Sequence, residues 1–199
     1  MTAPPARPRG GKDPAVSLFS KIIQRVVIDR GTIAARIDEL AAEVADFYRG
    51  KPLTVVPVLA GALMFASDLI RALPLKMKIG LVGLSSYRGT VTLPREISVS
   101  FGLEGDIRRR HVLVVDDILD TGATLERACG MVRAAGAADV RSLVLLAKRR
   151  AEPPAMRPNW LGFEIDDEFV VGYGLDYNDH YRNLRDVVVL KDELYADGH

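Results

Sequence analysis

One cysteine, one tryptophan and three histidines are spread over 199 residues. The lone Cys129 excludes an internal disulfide and any cysteine-based zinc cluster. Within a helical stretch it reads as a small buried side chain. Twenty-seven basic residues face 26 acidic ones, so the chain lacks the one-signed field that draws proteins to nucleic acid or membranes. No uncharged run approaches the ~20 residues of a membrane span. The N-terminal MTAPPARPRGGKDP has no apolar h-region, which excludes a secretory signal there, and residues 1–14 are expected to form a disordered tail. Two common phosphate-binding patterns are also missing: there is no GxxxxGK followed by Ser or Thr, and no GxGxxG follows a strand. What remains is the expectation of a cytoplasmic protein with one domain over 15–199 and enough chain for a real core.

The apolar pattern alternates between strands and helices. Thr32 to Tyr48 has helical spacing, with Ile33, Ile37, Leu40, Ala41, Val44 and Phe47 on one stripe, Thr32 as N-cap and Gly50 as the stop. Leu53 to Leu59 reads as the first core strand, Ala62 to Leu73 as the returning helix, and Met77 to Leu84 as a second strand with a loop from Ser85 to Thr90. Residues 91–101 alternate enough for a hairpin or flap. Val112 to Val115, Val140 to Leu146 and Val187 to Leu190 read as strands, with a helix from Thr121 to Ala135 that Gly136 ends. Leu18 to Ile28 fits a helix or a strand equally. The spacing predicts an α/β fold: an open, mainly parallel sheet flanked by helices, with a core over about 50–150. A small hood is expected from the N-terminal segment and about 151–199.

The most informative run is HVLVVDDILDTGATL, His111 to Leu125. A buried strand runs into Asp116 and Asp117, then Asp120 opens a turn of Thr121, Gly122, Ala123 and Thr124 that feeds a helix. Open parallel sheets bind ligands beyond the carboxyl ends of their strands. Gly122 permits a tight turn, and the amides and hydroxyls from Thr121 to Leu125 can wrap a phosphate at the helix start. Asp116 and Asp117 point oppositely on extended backbone but can both meet vicinal hydroxyls if the strand ends there. Asp120 is placed to share a proton with a reacting base. Ala60-Gly61, Ser85-Ser86-Tyr87 and Lys148 also lie just past apolar strands. Together these residues point to an enzyme acting on a phosphorylated ribose.

VLVVDDILDTGATL resembles the phosphoribosyl-pyrophosphate signature of the type I phosphoribosyltransferases. VLAGALMFASDLIRAL, LSSYRGT, LLAKRR and GFEIDDEFVVGYGLDYNDHYRNL follow in family order and resemble its hypoxanthine-guanine (6-oxopurine) branch. The resemblance implies that Asp116 and Asp117 hold the ribose hydroxyls and that Asp120 is the catalytic proton partner near N7. It puts the 5'-phosphate on Asp120, Thr121, Gly122, Ala123, Thr124 and Leu125. The purine would be held by Ile118, Lys148, Phe169 and the backbone of Val170, and pyrophosphate by Ala60, Gly61 and Arg182. Ser86 and Tyr87 match a flexible loop that closes over the site and excludes water. Mg²⁺ is the implied cofactor, with Asp176 as a metal-associated acid and Asp116 and Asp117 as further candidate ligands.

The implied substrates are 5-phosphoribosyl 1-pyrophosphate and a 6-oxopurine, the implied product IMP or GMP, and the implied assembly a homodimer or homotetramer without nucleic acid or membrane. Lys148 donating to O6 would discriminate against the 6-amino group of adenine. Many relatives carry a lysine where this chain has Ala60; the backbone there, in a non-proline cis bond, would still bind pyrophosphate. Trp160, His111 and His180 are read as structural or surface groups. Alternatives are a transferase for xanthine or another base and an RNA-binding regulator built on the same fold.

Overall fold

The computed structural model of the chain describes residue 19 and residues 21–86 and 97–196. The expected tail at 1–14, Tyr87 of the expected loop and the first part of the expected flap lie outside the described residues.

Residues 53–59 form the hub. They are β-branched or apolar almost throughout, and β2 (Leu53–Leu59) is buried along nearly its whole length. Around it the large sheet runs β5 (Ile97–Glu104), β4 (Leu81–Ser86), β2, β6 (His111–Leu119), β7 (Asp139–Lys148) and β8 (Trp160–Ile165). The β4–β5 edge is antiparallel and the remaining pairs are parallel. All the parallel strands therefore point their carboxyl ends to one edge.

The expected single strand from Met77 to Leu84 is instead two, β3 (Met77–Ile79) and β4, broken at Gly80. A Cβ at Gly80 would lie 2.7 Å from the Glu104 carbonyl oxygen, so the close approach of β5 calls for glycine there. The break also accommodates Pro57. β3 pairs with residues 53–55 of β2 and β4 with residues 58 and 59, leaving the ladder open where Pro57 has no N–H to give. Ser85 and Ser86 continue β4 and do not leave it as a loop, because β5 pairs with them antiparallel.

Helices cover both faces. α1 (Arg30–Tyr48) and α2 (Leu63–Ala72) pack on one, α3 (Ala123–Ala134) on the other. Along β6 the alternation is direct: Leu113 and Val115 join the α1/α2 core, Val112 and Val114 the α3 core. The cap of α1 is Asp29, not Thr32; its carboxylate accepts the amides of Gly31 and Thr32 and the Thr32 hydroxyl at 2.6 Å, which starts the helix two residues early. On the stripe Tyr48 is buried where Phe47 was expected, and Phe47 packs edge-on against it. Trp160 opens β8 and packs on both rings.

The ambiguous segment before α1 is a strand: β1 (Ile23–Ile28) pairs antiparallel with β9 (Val187–Leu190) in a separate two-stranded sheet. Val171, Leu184, Val188 and Leu190 make its small core. A short α4 (Glu193–Ala196) follows.

Leu113 of β6, paired beside Val55 of the hub, is fully buried. Leu113→Ala is expected to cost about 2–5 kcal/mol of unfolding free energy, the range for a large-to-small change with partial collapse. Urea unfolding checks it, and a loss below about 1 kcal/mol would mean that α1 and α2 settle into the space.

Candidate functional site

The signature strand is longer than its apolar core suggests. β6 runs from His111 to Leu119, so Asp116 and Asp117 are still inside it, paired alongside β7. Asp116 is 4% exposed and lies on the α3 side, where its charge reaches Cys129. That thiol, buried and pushed up to about 11, is inert as a nucleophile. Asp117 turns the other way, against Gly61. Its Oδ1 accepts from the Ile118 amide at 2.9 Å, and Asp116 Oδ1 accepts from the Asp117 amide at 3.1 Å.

Burial lifts both carboxyls above the usual carboxylate range. Asp116 is raised well above it by burial first, then by the Asp117 charge and a hydrogen bond with Asp117. Burial also raises Asp117, opposed by its bond with Asp116, by backbone amides and by the Arg182 guanidinium. The pair thus keeps a proton more readily than two separate acids would.

The second wall is the loop after β2. Its Leu59–Ala60 peptide is cis. A Cβ on Gly61 would sit 1.9 Å from Asp117 Oδ2, and one on Gly174 would sit 2.1 Å from the Gly61 carbonyl oxygen. Gly174 also has φ +104°. Two glycines therefore let the loop backbone come close to the Asp117 carboxylate on one side and to the turn at Gly174 on the other. Arg182 is fixed over this corner: it donates to the Gly174 carbonyl at 2.8 Å and pairs with Asp176 at 2.9 Å and Asp179 at 3.0 Å. Tyr173, also at positive φ, anchors the same turn to α2 by donating to Asp68 at 2.6 Å.

The third wall is the start of α3. The helix begins at Ala123, two residues later than the Thr121 expected, with Gly122 as N-cap at φ +83° and no side-chain cap. Its first intrahelical bond runs from Glu126 to the Gly122 carbonyl, so the amides of residues 123–125 precede any helical acceptor. Such amides make an anion site. Leu125 is buried in the α3 core and Gly122 is overlaid by the backbone of residues 155 and 156, so each presents only backbone at this helix start.

The fourth wall is ionic. Lys148, last residue of β7, has its Nζ 3.2 Å from Asp167 Oδ1, and Arg150 donates to Asp120. Phe169 meets Tyr177 edge-on at 5.8 Å, Val170 buries its side chain in the main core, and Ile118 packs against that core from β6.

Asp117, Gly61, Asp176 and Arg182 are thus gathered at one corner, and Asp120 and Lys148 along the ends of neighbouring strands. Sequence reasoning missed Arg150, Asp167, Tyr173 and Gly174. Arg150 has a readable signal, being two residues beyond Lys148 on extended chain. Asp167 hides in an acidic run whose partners only the fold reveals.

The chain that carries this arrangement has known relatives. Residues 27–178 match the phosphoribosyl transferase domain. The chain belongs to the phosphoribosyltransferase family and is an enzyme of that class. Its similarity lies with the hypoxanthine and hypoxanthine-guanine members. It is 40% identical over 162 residues to hypoxanthine phosphoribosyltransferase of Haemophilus influenzae, covering 80% of this chain and 90% of that one. To the hypoxanthine-guanine phosphoribosyltransferase of Staphylococcus aureus it is 34% identical over 175 residues, covering 88% and 98%. A crystal structure of a Staphylococcus aureus hypoxanthine phosphoribosyltransferase superposes with a TM-score of 0.82 at 34% identity, over 89% of this chain and 97% of that one.

The acid pair has a measurable consequence. A carboxyl whose value is raised by folding contributes stability below its unfolded value, about 4, and loses it as pH climbs through the raised folded value. In chelator-containing buffer, Asp116→Asn is expected to raise Tm at neutral pH by about 2–6 °C and to flatten its decline with rising pH. Calorimetry across pH checks it; equal slopes would mean that Asp116 ionises freely.

Proposed function

We propose that the chain transfers the 5-phosphoribosyl group from 5-phospho-α-D-ribose 1-diphosphate to N9 of hypoxanthine or guanine, giving IMP or GMP and pyrophosphate. The carrying observation is the order of groups along the sheet edge: an arginine-and-glycine corner at Arg182 and Gly61, the acids Asp116 and Asp117, then Asp120 and Lys148. An anionic leaving group, a diol and a base with a carbonyl acceptor need those groups in that order.

In this reading the helix start from Thr121 to Leu125, with Asp120, grips the 5'-phosphate through backbone amides and hydroxyls. Asp116 and Asp117 accept from the ribose hydroxyls. Ala60 and Gly61 offer backbone to pyrophosphate, and Arg182 stabilises the charge that grows there as C1' gains oxocarbenium character. Asp120 takes or shares a proton at N7. Lys148 donates to O6, and a 6-amino group would set donor against donor. Phe169 stacks on the purine opposite Ile118, and Val170 reads its edge through the backbone. Ser86 and Tyr87 belong to the segment assigned to closure over the substrate.

Magnesium suits the corner on donor chemistry. Asp176 and Asp117 present oxygens there, with Asp116 the next acid along the strand on its other face; a hard cation prefers such donors, and one there would offset the burial that lifts the acid pair. Bound, it would neutralise charge on pyrophosphate. Among the described residues no three His, Cys, Asp or Glu side chains form a cluster, so substrate oxygens would complete its shell. The half-exposed Leu63 and Met64 at the start of α2 offer apolar area to a second copy in a homodimer or homotetramer. Among the described residues no helix is long and apolar enough to cross a membrane. Xanthine is the alternative base, since it differs from hypoxanthine only at C2.

Nucleotide formation with Mg²⁺, the phosphoribosyl donor and single bases tests the reading. Hypoxanthine and guanine should turn over, and adenine and uracil should not. Lys148→Met should lower kcat/KM for hypoxanthine by about 10–100-fold while sparing donor binding. Turnover of xanthine alone would select the alternative, and no turnover with any base would overturn the proposal.

A further inference from the structure

Four side chains beyond the strand ends form a row of alternating charge. Lys148 Nζ is 3.2 Å from Asp167 Oδ1, Arg150 Nε is 3.8 Å from Asp167 Oδ2, and the Arg150 guanidinium also donates to Asp120. Asp167 therefore stands between two cations, and Arg150 between two acids. This row conflicts with the roles assigned above. A guanidinium on Asp120 occupies carboxylate oxygens that a base would need. A carboxylate on Lys148 competes with O6 for the same donors. Both groups must change partner before the base is engaged.

The geometry points to a single exchange, which rests on the 6-oxopurine transfer reading. We propose that Arg150 and Asp167 are positioning residues that swap ion pairs when a 6-oxopurine enters. Lys148 leaves Asp167 for O6, Arg150 moves from Asp120 onto the vacated Asp167, and Asp120 turns to the base. No covalent bond changes in the swap. Arg150 needs only to close a 3.8 Å separation to Asp167, reaching the roughly 2.8 Å of a charge-assisted bond. Arg150 and Asp167, in the middle of the row, are exposed at 37% and 45%, while Lys148 and Asp120 at its ends are more covered, at 15% and 27%; the two residues that exchange partners are therefore the ones water screens most. Recognition of the oxo group thereby releases the proton acceptor. A 6-amino purine fails twice: it leaves Lys148 on Asp167, and so leaves Arg150 on Asp120.

Steady-state kinetics of the full chain with Mg²⁺, hypoxanthine and the phosphoribosyl donor test this through Asp167→Asn, Arg150→Gln and the double variant. In Asp167→Asn the arginine has no second carboxylate and stays on Asp120. kcat should fall about tenfold, while KM for hypoxanthine holds or falls because Lys148 is already released. Removing Arg150 as well should lift that block, bringing kcat of the double variant to within about threefold of Arg150→Gln alone. A merely structural role would give losses that add. Additive losses, or an Asp167→Asn enzyme as fast as the natural chain, would overturn the exchange. Thermal melting checks that all three variants fold. Failure of the underlying reading looks different: the unaltered chain makes no nucleotide, or Asp120→Asn retains full activity.

Discussion

The site depends on one close approach. The loop after β2 must pass between the Asp117 carboxylate and the turn at Gly174, and it does so only because Gly61 and Gly174 have no side chains. A methyl group on either would overlap an oxygen at about 2 Å separation. The cis peptide, the Arg182 guanidinium held by the Gly174 carbonyl and the link from Tyr173 to Asp68 all assemble around that contact. Late chain, from residue 172 onward, is thereby fixed onto early chain at residues 59–68.

The second organising element is the burial of charge. Strand β6 carries its acids inside the ladder, where water is scarce and ionisation is costly. Burial raises both carboxyls, while Arg182 pulls Asp117 back toward the charged form. The pair is therefore poised to respond to whatever positive charge or hydroxyl donors reach the sheet edge. Asp120, the proposed proton partner, is treated differently: it lies outside the strand and is paired with a guanidinium at the solvent boundary.

Much of this was legible in the sequence, for identifiable reasons. β2 and β9 fall on their expected residues because unbroken apolar runs leave no choice of register. The turn at Gly122 was readable because a small-residue turn after a buried strand has few other uses, although the helix behind it starts at Ala123, two residues past the expected Thr121. Three boundaries were not. Thr32 and Asp29 are both good caps, and only the two amides that Asp29 collects separate them. Gly80 splits a continuous apolar run because β5 crosses close by, a fact about a strand some twenty residues later. The acids of β6 stay in the strand because β7 pairs with them, which a local polarity signal contradicts. Arg150 and Asp167 escaped for the same reason: seventeen positions apart, they are joined only by the fold.

Trp160, the chain's single tryptophan, opens β8 opposite Leu143 and sits 5.4 Å from the Phe47 ring and 6.1 Å from that of Tyr48. Five residues of β7 separate Leu143 from Lys148, about 16 Å of strand. The indole therefore lies at the far end of the sheet from Lys148, reaching from the edge strand β8 onto the end of α1. Its emission is a built-in optical gauge of whether α1 is seated on the sheet, largely blind to what happens at the opposite rim.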